Sequence, residues 1–344
     1  AFQRNGVDSI AVCLFNSYAN PAHEQACAQV LQADGQPVEW LSLSHEIVPL
    51  LGEYERTATT VLNAYVAPRT VGYLTALDGR LRALGLPQPM LLIQNNGGSV
   101  SVGQVSNKPA TLLLSGPAAG VGALEIARDA LAVDNLLSLE IGGTSADVML
   151  MQEGQVPVSE QLSVGGYDTA LASVEIHTIG AGGGTIATVD AAGLLQVGPH
   201  GAGADPGPAA YGNGGVEATV TDALLVLGRL RPGTYANGSV TLDIDKATQA
   251  IEAQVANPLG LSAPDAAAGV LALLEQHLLQ AVEQVTLERG LDPSGFTLVP
   301  AGGAGPMHGA SVGRRLGCTR LYVPRMSGAF CAIGMLQVDV RHDL

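Results

Sequence analysis

With 344 residues, 47% of them hydrophobic, the chain has material for about two domains with substantial apolar cores, which excludes a small scaffold held together by disulfides. Its 31 acidic and 16 basic side chains leave a formal net charge of -15, and no basic patch offers a surface to nucleic acid. Cys13, Cys27, Cys318 and Cys331 stand singly without C-x-x-C spacing, and no apolar run approaches the ~20 residues that span a bilayer, so the reading is a cytoplasmic, soluble protein with reduced thiols and no membrane contact.

The opening lacks both an initiator Met and a signal-peptide pattern, and residues 9–15 already read as a buried strand, so the chain looks entered midway. Asn20 and Pro21 then mark a cap and helix start. Residues 44–49 read as a strand ending. Residues 53–84 are helical in character, with Pro68 kinking the helix or dividing it in two. The polar cluster Glu53, Tyr54, Glu55, Arg56, Thr57, Thr59, Thr60, Asn63 and Tyr65 reads as a solvated face with a capping network in preference to a site-facing one. A short strand at 90–94 runs into the turn Asn95-Asn96-Gly97-Gly98. Ser115 is a candidate cap for a small-residue helix reaching about Leu131, whose face suits close backbone packing.

Residues 136–151 form two strand-like runs around Gly142-Gly143-Thr144-Ser145, with Glu140 and Asp147 at the shoulders. This reads as a β-hairpin. Its tip is either an ordinary glycine turn or a loop whose N–H groups and hydroxyls hold phosphate, the two acids then holding a divalent cation or orienting water. A strand at 173–179 feeds a second glycine turn, 180–184, which includes Gly182 and Gly183. Another strand follows where a dinucleotide fingerprint requires a helix, so a Rossmann site is disfavoured. His177 beside this turn is a candidate acid/base or metal ligand, against the structural role more usual for a lone histidine. Residues 198–212 read as an ordered Gly/Pro loop, Thr219 and Asp222 as a helix cap, 232–238 as a surface insertion, 243–255 as a helix and 263–289 as a long amphipathic helix ended by Gly290. The strand 296–301 delivers Gly302-Gly303-Ala304-Gly305 to a helix N-terminus, which can set amides and a helix dipole near a nucleotide. A last strand at 321–324 and a small-residue helix at 327–335 close the order. No P-loop occurs, and Lys108 and Lys246 are the only lysines.

Taken together, Glu53-Tyr54-Glu55-Arg56-Thr57, Ser115-Gly116-Pro117-Ala118, Gly142-Gly143-Thr144-Ser145, His177-Thr178-Ile179-Gly180-Ala181-Gly182-Gly183-Gly184, Gly203-Ala204-Asp205-Pro206-Gly207-Pro208 and Gly302-Gly303-Ala304-Gly305-Pro306 resemble the hydantoinase A/oxoprolinase family, from residue 11 to about residue 343. The resemblance implies an α/β fold of actin-like ATPase (ribonuclease H-like) lobes with mixed sheets and flanking helices. Residues 1–50 would be the end of an amino-terminal lobe largely missing here, with that lobe's own phosphate loop, and residues 51–344 the hydantoinase A domain. It further implies ATP and Mg²⁺, or another divalent metal. Gly142, Gly143, Thr144 and Ser145 would hold phosphates, Gly182, Gly183, Gly302, Gly303 and Gly305 would approach the nucleotide, Asp147 and Glu140 would manage the metal or the attacking group, and His177 would shuttle a proton or bind metal. The implied function is the ATP-using subunit of a hydantoin or lactam amidohydrolase, with a small-molecule substrate and a B-type partner subunit in a hetero-oligomer. A ketone carboxylase subunit and a non-catalytic scaffold subunit are the alternatives. Two departures stand out: Glu140 occupies a position where the family pattern usually has Asp, and Leu224 one where Asn is expected.

Overall fold

The structure is a computed structural model that describes residues 6–33 and 38–340. Arg341, His342 and Asp343, where the resemblance ends, lie outside the described residues. The chain forms two compact units, one of Ala1–Gly122, Pro157–Glu175 and Gly334–Leu344, the other of Ala123–Val156 and Ile176–Ile333.

In the first unit β1 (Ser9–Val12) and β2 (Trp40–Leu43) pair in parallel across α1 (Ala22–Ala33). The Asn20 side chain accepts from the Ala22 N–H at 3.2 Å, as its cap position suggests. The chain leaves β2 at Leu43 and makes a helical turn over Ser44–Ile47, where a strand end was expected. The cause is Glu24, a buried residue of α1. Its carboxylate accepts from the Ser44 hydroxyl at 2.6 Å, the His45 N–H at 3.0 Å and the Leu14 N–H at 2.9 Å, which takes the donors at 44 and 45 out of any strand ladder.

The helix α2 (Glu53–Ala83) passes through Pro68 as one element, so the proline does not divide it. Its polar cluster divides: Glu53, Tyr54, Thr57 and Tyr65 are exposed, as a solvated face requires, and the rest turns inward. Arg56, Thr59, Thr60 and Asn63 are buried. Arg56 donates to the Leu50 and Leu14 carbonyls at 2.9 and 3.0 Å and lies 5.5 Å from the Tyr18 ring centre, while Asn63 donates to Ser42 Oγ at 3.0 Å and accepts from the Ala110 N–H at 3.1 Å. The helix supports irregular backbone around it, and that backbone needs polar partners. The strands β3 (Leu91–Ile93) and β4 (Ser99–Ser101) form a hairpin around Gly97, whose φ of +79° only glycine adopts freely. Ser115 begins a separate turn, Ser115–Ala118, after Leu114 in the left-handed region; it does not cap α3 (Gly120–Leu131). The small-residue face of α3 is in use, because Gly122 lies so near the Gly334 carbonyl that a Cβ would collide with it.

The second unit is built on one mixed sheet. Its members are β5 (Leu136–Ile141), β6 (Ala146–Met151) and β7 (Ile176–Ile179), joined after further elements by two strands from the end of the chain. Next come β8 (Thr185–Val189) and β9 (Leu195–Gly201), paired antiparallel, and α4 (Val220–Val226), which the reciprocal Thr219 and Asp222 box caps. The stretch expected as a surface insertion is the hairpin of β10 (Gly233–Tyr235) and β11 (Val240–Leu242). Helix α5 (Ile244–Ile251) is capped by Asp243, and α6 (Ala263–Leu287) stops short of Gly290, whose φ is +70°. The strand β12 (Thr297–Ala301) leads into α7 (Gly305–Arg315), and β13 (Arg320–Leu321) closes the sheet in the order β7-β6-β5-β12-β13. β6 is antiparallel to both its neighbours, and β12 is parallel to both of its own.

Strand alternation divides the sheet's side chains between two faces. Leu137, Leu139, Ile141, Ala146, Val148, Leu150 and Leu298 pack into a core with Val270, Leu271, Leu274 and Leu278 of α6. Ser138, Glu140, Asp147, Met149 and Thr178 occupy the opposite face by register. Leu224 on α4, where the resemblance implies Asn, is buried in the same apolar core. No helix among the described residues is long and apolar enough to cross a membrane.

Candidate functional site

The site is assembled where three glycine turns meet. Residues 142–145 connect β5 to β6, and the loop is closed by the Gly142 N–H donating to the Ser145 carbonyl at 3.0 Å. Among the described residues the N–H groups of Gly143, Thr144 and Ser145 have no acceptor. Three consecutive unengaged amides with two hydroxyls form a concavity suited to an anion. The turn at 180–184 abuts this loop: Gly183 N–H donates to the Gly142 carbonyl at 2.9 Å, Gly184 N–H to the Gly143 carbonyl at 2.7 Å, and Gly182 N–H to Thr185 Oγ1 at 2.8 Å. The turn at 302–305 abuts it from β12, with the Ala304 N–H donating to the Ile141 carbonyl at 3.0 Å.

These glycines divide into two physical classes. A Cβ on Gly182 would lie 2.5 Å from the Thr144 nitrogen, and one on Gly302 would collide with the Ile141 carbonyl; both are glycine because backbone passes there. Gly305 is similarly tight, 3.0 Å from the Leu139 carbonyl, and a Cβ on Gly183 would meet Thr221 Oγ1 at 3.0 Å. Gly143 and Gly303 are different: neither has a positive φ, and a Cβ on either would meet nothing within 4 Å. Protein packing gives no reason for glycine at these two positions, whereas a ligand lying on the backbone does. Both line a cavity of about 310 Å³, together with Gly142, Gly183, Thr221, Tyr211 and Met307, and it is walled by Tyr235, Val240 and Leu242 of the β10–β11 hairpin.

Glu140 and Asp147 are directly opposed across β5 and β6, and Thr178 opposes Asp147 across β6 and β7. The Thr178 hydroxyl donates to Asp147 Oδ1 at 2.6 Å, and the Cys331 thiol donates to Glu140 Oε2 at 2.8 Å. Burial pushes both carboxyls above their ordinary range. The thiol partly offsets this at Glu140, where the Asp147 charge raises it further, and the Thr178 hydroxyl partly offsets it at Asp147. Among the described residues no group of three or more His, Cys, Asp or Glu side chains converges as a metal centre. Two carboxylates beside an anion loop nevertheless fit Mg²⁺, which takes one or two carboxylates together with phosphate oxygens and water.

His177 stands apart from this pair. In register it opposes Val148, so it belongs to the core-facing side of the sheet, and it lines a different cleft with His277 of α6. The structure therefore brings together Glu140, Asp147 and the turns at 142–145, 182–183 and 302–305, and leaves His177 on the other face. Sequence reasoning did not find Thr178, Cys331, Thr221 or the β10–β11 wall. Strand pairing signals Thr178, since it alternates with His177. Cys331 lies 191 residues from Glu140, and no local pattern marks it.

Residues 56–344 match the Hydantoinase/oxoprolinase family. The caprolactamase subunit alpha of Pseudomonas jessenii is 36% identical over 342 residues, which are 99% of this chain and 49% of that protein. The crystal structure of the ATP-dependent caprolactamase from Pseudomonas jessenii superposes with a TM-score of 0.86 at 36% identity, over 99% of this chain and 49% of that one. The nucleotide-free structure of acetone carboxylase gives a TM-score of 0.86 at 29% identity, over 98% and 48%. The chain spans about half the length of these relatives. It belongs to the hydantoinase/oxoprolinase family.

Proposed function

We propose that this chain is the ATP-using part of a cyclic amide amidohydrolase, and that it phosphorylates the carbonyl oxygen of a hydantoin or lactam ring. The observation that carries this reading is the pair Gly143 and Gly303, left without side chains at a cavity where nothing in the protein requires it. ATP-dependent caprolactamase, which is similar along nearly the whole chain, supports both the nucleotide and the lactam.

In this reading the N–H groups of Gly143, Thr144 and Ser145 hold the phosphates, and Gly303 and Gly305 at the start of α7 add two amides and the positive end of the helix dipole. Gly182 and Gly183 brace the loop, because their own amides are engaged. Asp147, oriented by Thr178, and Glu140, oriented by Cys331, would hold Mg²⁺, which when bound neutralises the charge on the transferring group. The amide oxygen attacks the γ-phosphorus, the bond to the β–γ bridging oxygen breaks, and ADP leaves. Water then adds to the activated ring carbon, the C–N bond of the tetrahedral adduct breaks as its hydroxyl proton passes to the leaving nitrogen, and a second water hydrolyses the resulting acyl phosphate to carboxylate and phosphate. The residues supply positioning and charge stabilisation, which is most of what phosphoryl transfer demands.

The fold in this reading is a lobe of the actin-like ATPase class. The family match beginning at residue 56 supports placing residues 1–50 with a preceding lobe. The subunit names of its relatives support a hetero-oligomer, and we further propose a B-type partner and a cytoplasmic location. Purified complex is expected to release ADP in proportion to ring opening; ring opening at the same rate without ATP overturns the proposal. The acetone carboxylase likeness favours one second reading, a ketone carboxylase subunit, which bicarbonate-dependent consumption of a ketone would establish instead.

A further inference from the structure

The second unit holds another opening, a cleft of about 430 Å³ between β7, β9 and α6. His177 enters it from β7, Gln196 from β9, and His277, Gln280 and Gln284 from α6. Positions 277, 280, 281 and 284 make one face of the helix. Where α6 passes the cleft, Leu278, Leu279 and Val282 stay in the core, and the neighbouring face carries imidazole and carboxamide. Among the described residues the side chains of His177, His277, Gln280 and Gln284 make no hydrogen bond, whereas Gln196 donates to Asp190 at 3.0 Å. In a chain of net charge -15, no carboxylate, lysine or arginine lines this cleft.

Those side chains specify a ligand chemistry. A carboxamide carries a donor and an acceptor on one edge. The cis-amide of a small ring also presents its N–H and C=O on one edge, so the two can meet through a pair of antiparallel hydrogen bonds. An open-chain trans-amide presents them on opposite edges and forms only one. The lining offers no cation to pair with a carboxylate. The volume lies within the ~300–1,000 Å³ range of small-molecule sites. We propose that the cleft formed by His177, His277, Gln280 and Gln284 is a second ligand site, which takes a small neutral ring through the edge of its cis-amide.

The location rests on the cleft alone, while the choice of a cyclic amide as ligand rests on the reading under Proposed function. Gly180 and Ala181 line the cleft, and Gly183 and Gly184 of the same turn donate to the carbonyls of Gly142 and Gly143. A ring bound here therefore touches the turn that braces the phosphate loop.

The test is saturation-transfer NMR on the full chain with hydantoin and 2-pyrrolidone as probes, and N-methylacetamide and acetate as comparators. Both rings are expected to bind and both comparators to fail. The Gln280→Leu/Gln284→Leu variant is expected to weaken ring binding at least tenfold, as is Gln284→Glu, which replaces the donor–acceptor edge with acceptors only. Both variants change exposed side chains, and unchanged melting and MgADP affinity show that the fold and the other cavity are intact. Equal binding by N-methylacetamide or acetate, unaltered ring binding in the variants, or no ring binding at all overturns the proposal. MgADP binding by the parent protein is read separately, so failure of the nucleotide reading is distinguishable from failure of this one.

Discussion

Gly143 and Gly182 are both glycines near one phosphate loop, yet they answer to different constraints and respond oppositely to the same substitution. Gly143→Ala adds a methyl group in open space at an unstrained φ, so the fold is expected to keep its melting temperature or rise by up to ~1 kcal/mol of stability. MgADP affinity should fall about tenfold or more, because the methyl occupies the approach to the amides, a loss of ~1.4 kcal/mol. Gly182→Ala places its methyl 2.5 Å from the Thr144 nitrogen, so the loop has to move. It is expected to lose about 2 kcal/mol of stability and nucleotide affinity together. Calorimetric titration alongside thermal melting checks both. Unchanged MgADP affinity in Gly143→Ala would remove the ligand explanation for that glycine. The sequence shows all these positions as glycine; which of them faces backbone and which faces open space depends on strands and turns far apart in the chain.

Among the elements, α6 and α7 are tied by Glu275. This residue is 5% exposed and accepts from Arg229 at 3.0 Å, Ser311 at 2.5 Å and His308 Nδ1 at 3.3 Å. Burial pushes its carboxyl up, but the hydrogen bonds from His308, Ser311 and Arg229 outweigh that and hold it down at about 2, against an ordinary 4.5. A carboxyl lowered by folding stabilises the native state above its unfolded value, and that contribution disappears as pH falls through the folded one. Glu275→Gln is therefore expected to lower stability by roughly 3 kcal/mol at neutral pH, with the difference from the parent shrinking between about pH 4.5 and 2. Melting curves over that interval check it, and a difference independent of pH would show that the loss is packing alone. Glu24 in the first unit is held at about 2 in the same way, so the variant retains an acid-sensitive transition of its own. Elements with strong local patterns were legible in the sequence: the β5–β6 hairpin, the cap at Thr219, α6 ended before Gly290, and the β12 turn into α7. The errors fell where a distant partner decides the local form. Residues 44–47 bend toward Glu24, and Arg56, Thr59, Thr60 and Asn63 of α2 are buried beneath other segments; the stretch expected as a surface insertion is largely exposed, as expected, and also walls the cavity through Tyr235.

At the scale of the whole molecule, charge is the governing quantity. A net charge of -15 repels an anionic ligand, and the 310 Å³ cavity is lined by no lysine or arginine that could attract one. Glu140 and Asp147 stand at the two ends of the loop proposed to hold phosphate. Amides alone offset part of a nucleotide's charge, so tight binding requires a cation carried in with it. Glu140 and Asp147 would hold Mg²⁺, which would supply that positive charge. MgADP is accordingly expected to bind at least tenfold more tightly than ADP in EDTA. The salt responses should also differ. Raising ionic strength from ~0.01 M to ~0.15 M shortens the Debye length from about 30 Å to about 8 Å and screens the repulsion between protein and ligand. Affinity for metal-free ADP should rise over that interval, while affinity for MgADP, whose charge is largely neutralised, should change little. Calorimetric titrations of both ligands at the two salt concentrations make the measurement. The Asp147→Asn variant should bring the two affinities closer together by removing one of the proposed carboxylate ligands. If metal-free ADP binds as tightly as MgADP in the parent and neither responds to salt, Glu140 and Asp147 do not face the phosphate end of the nucleotide.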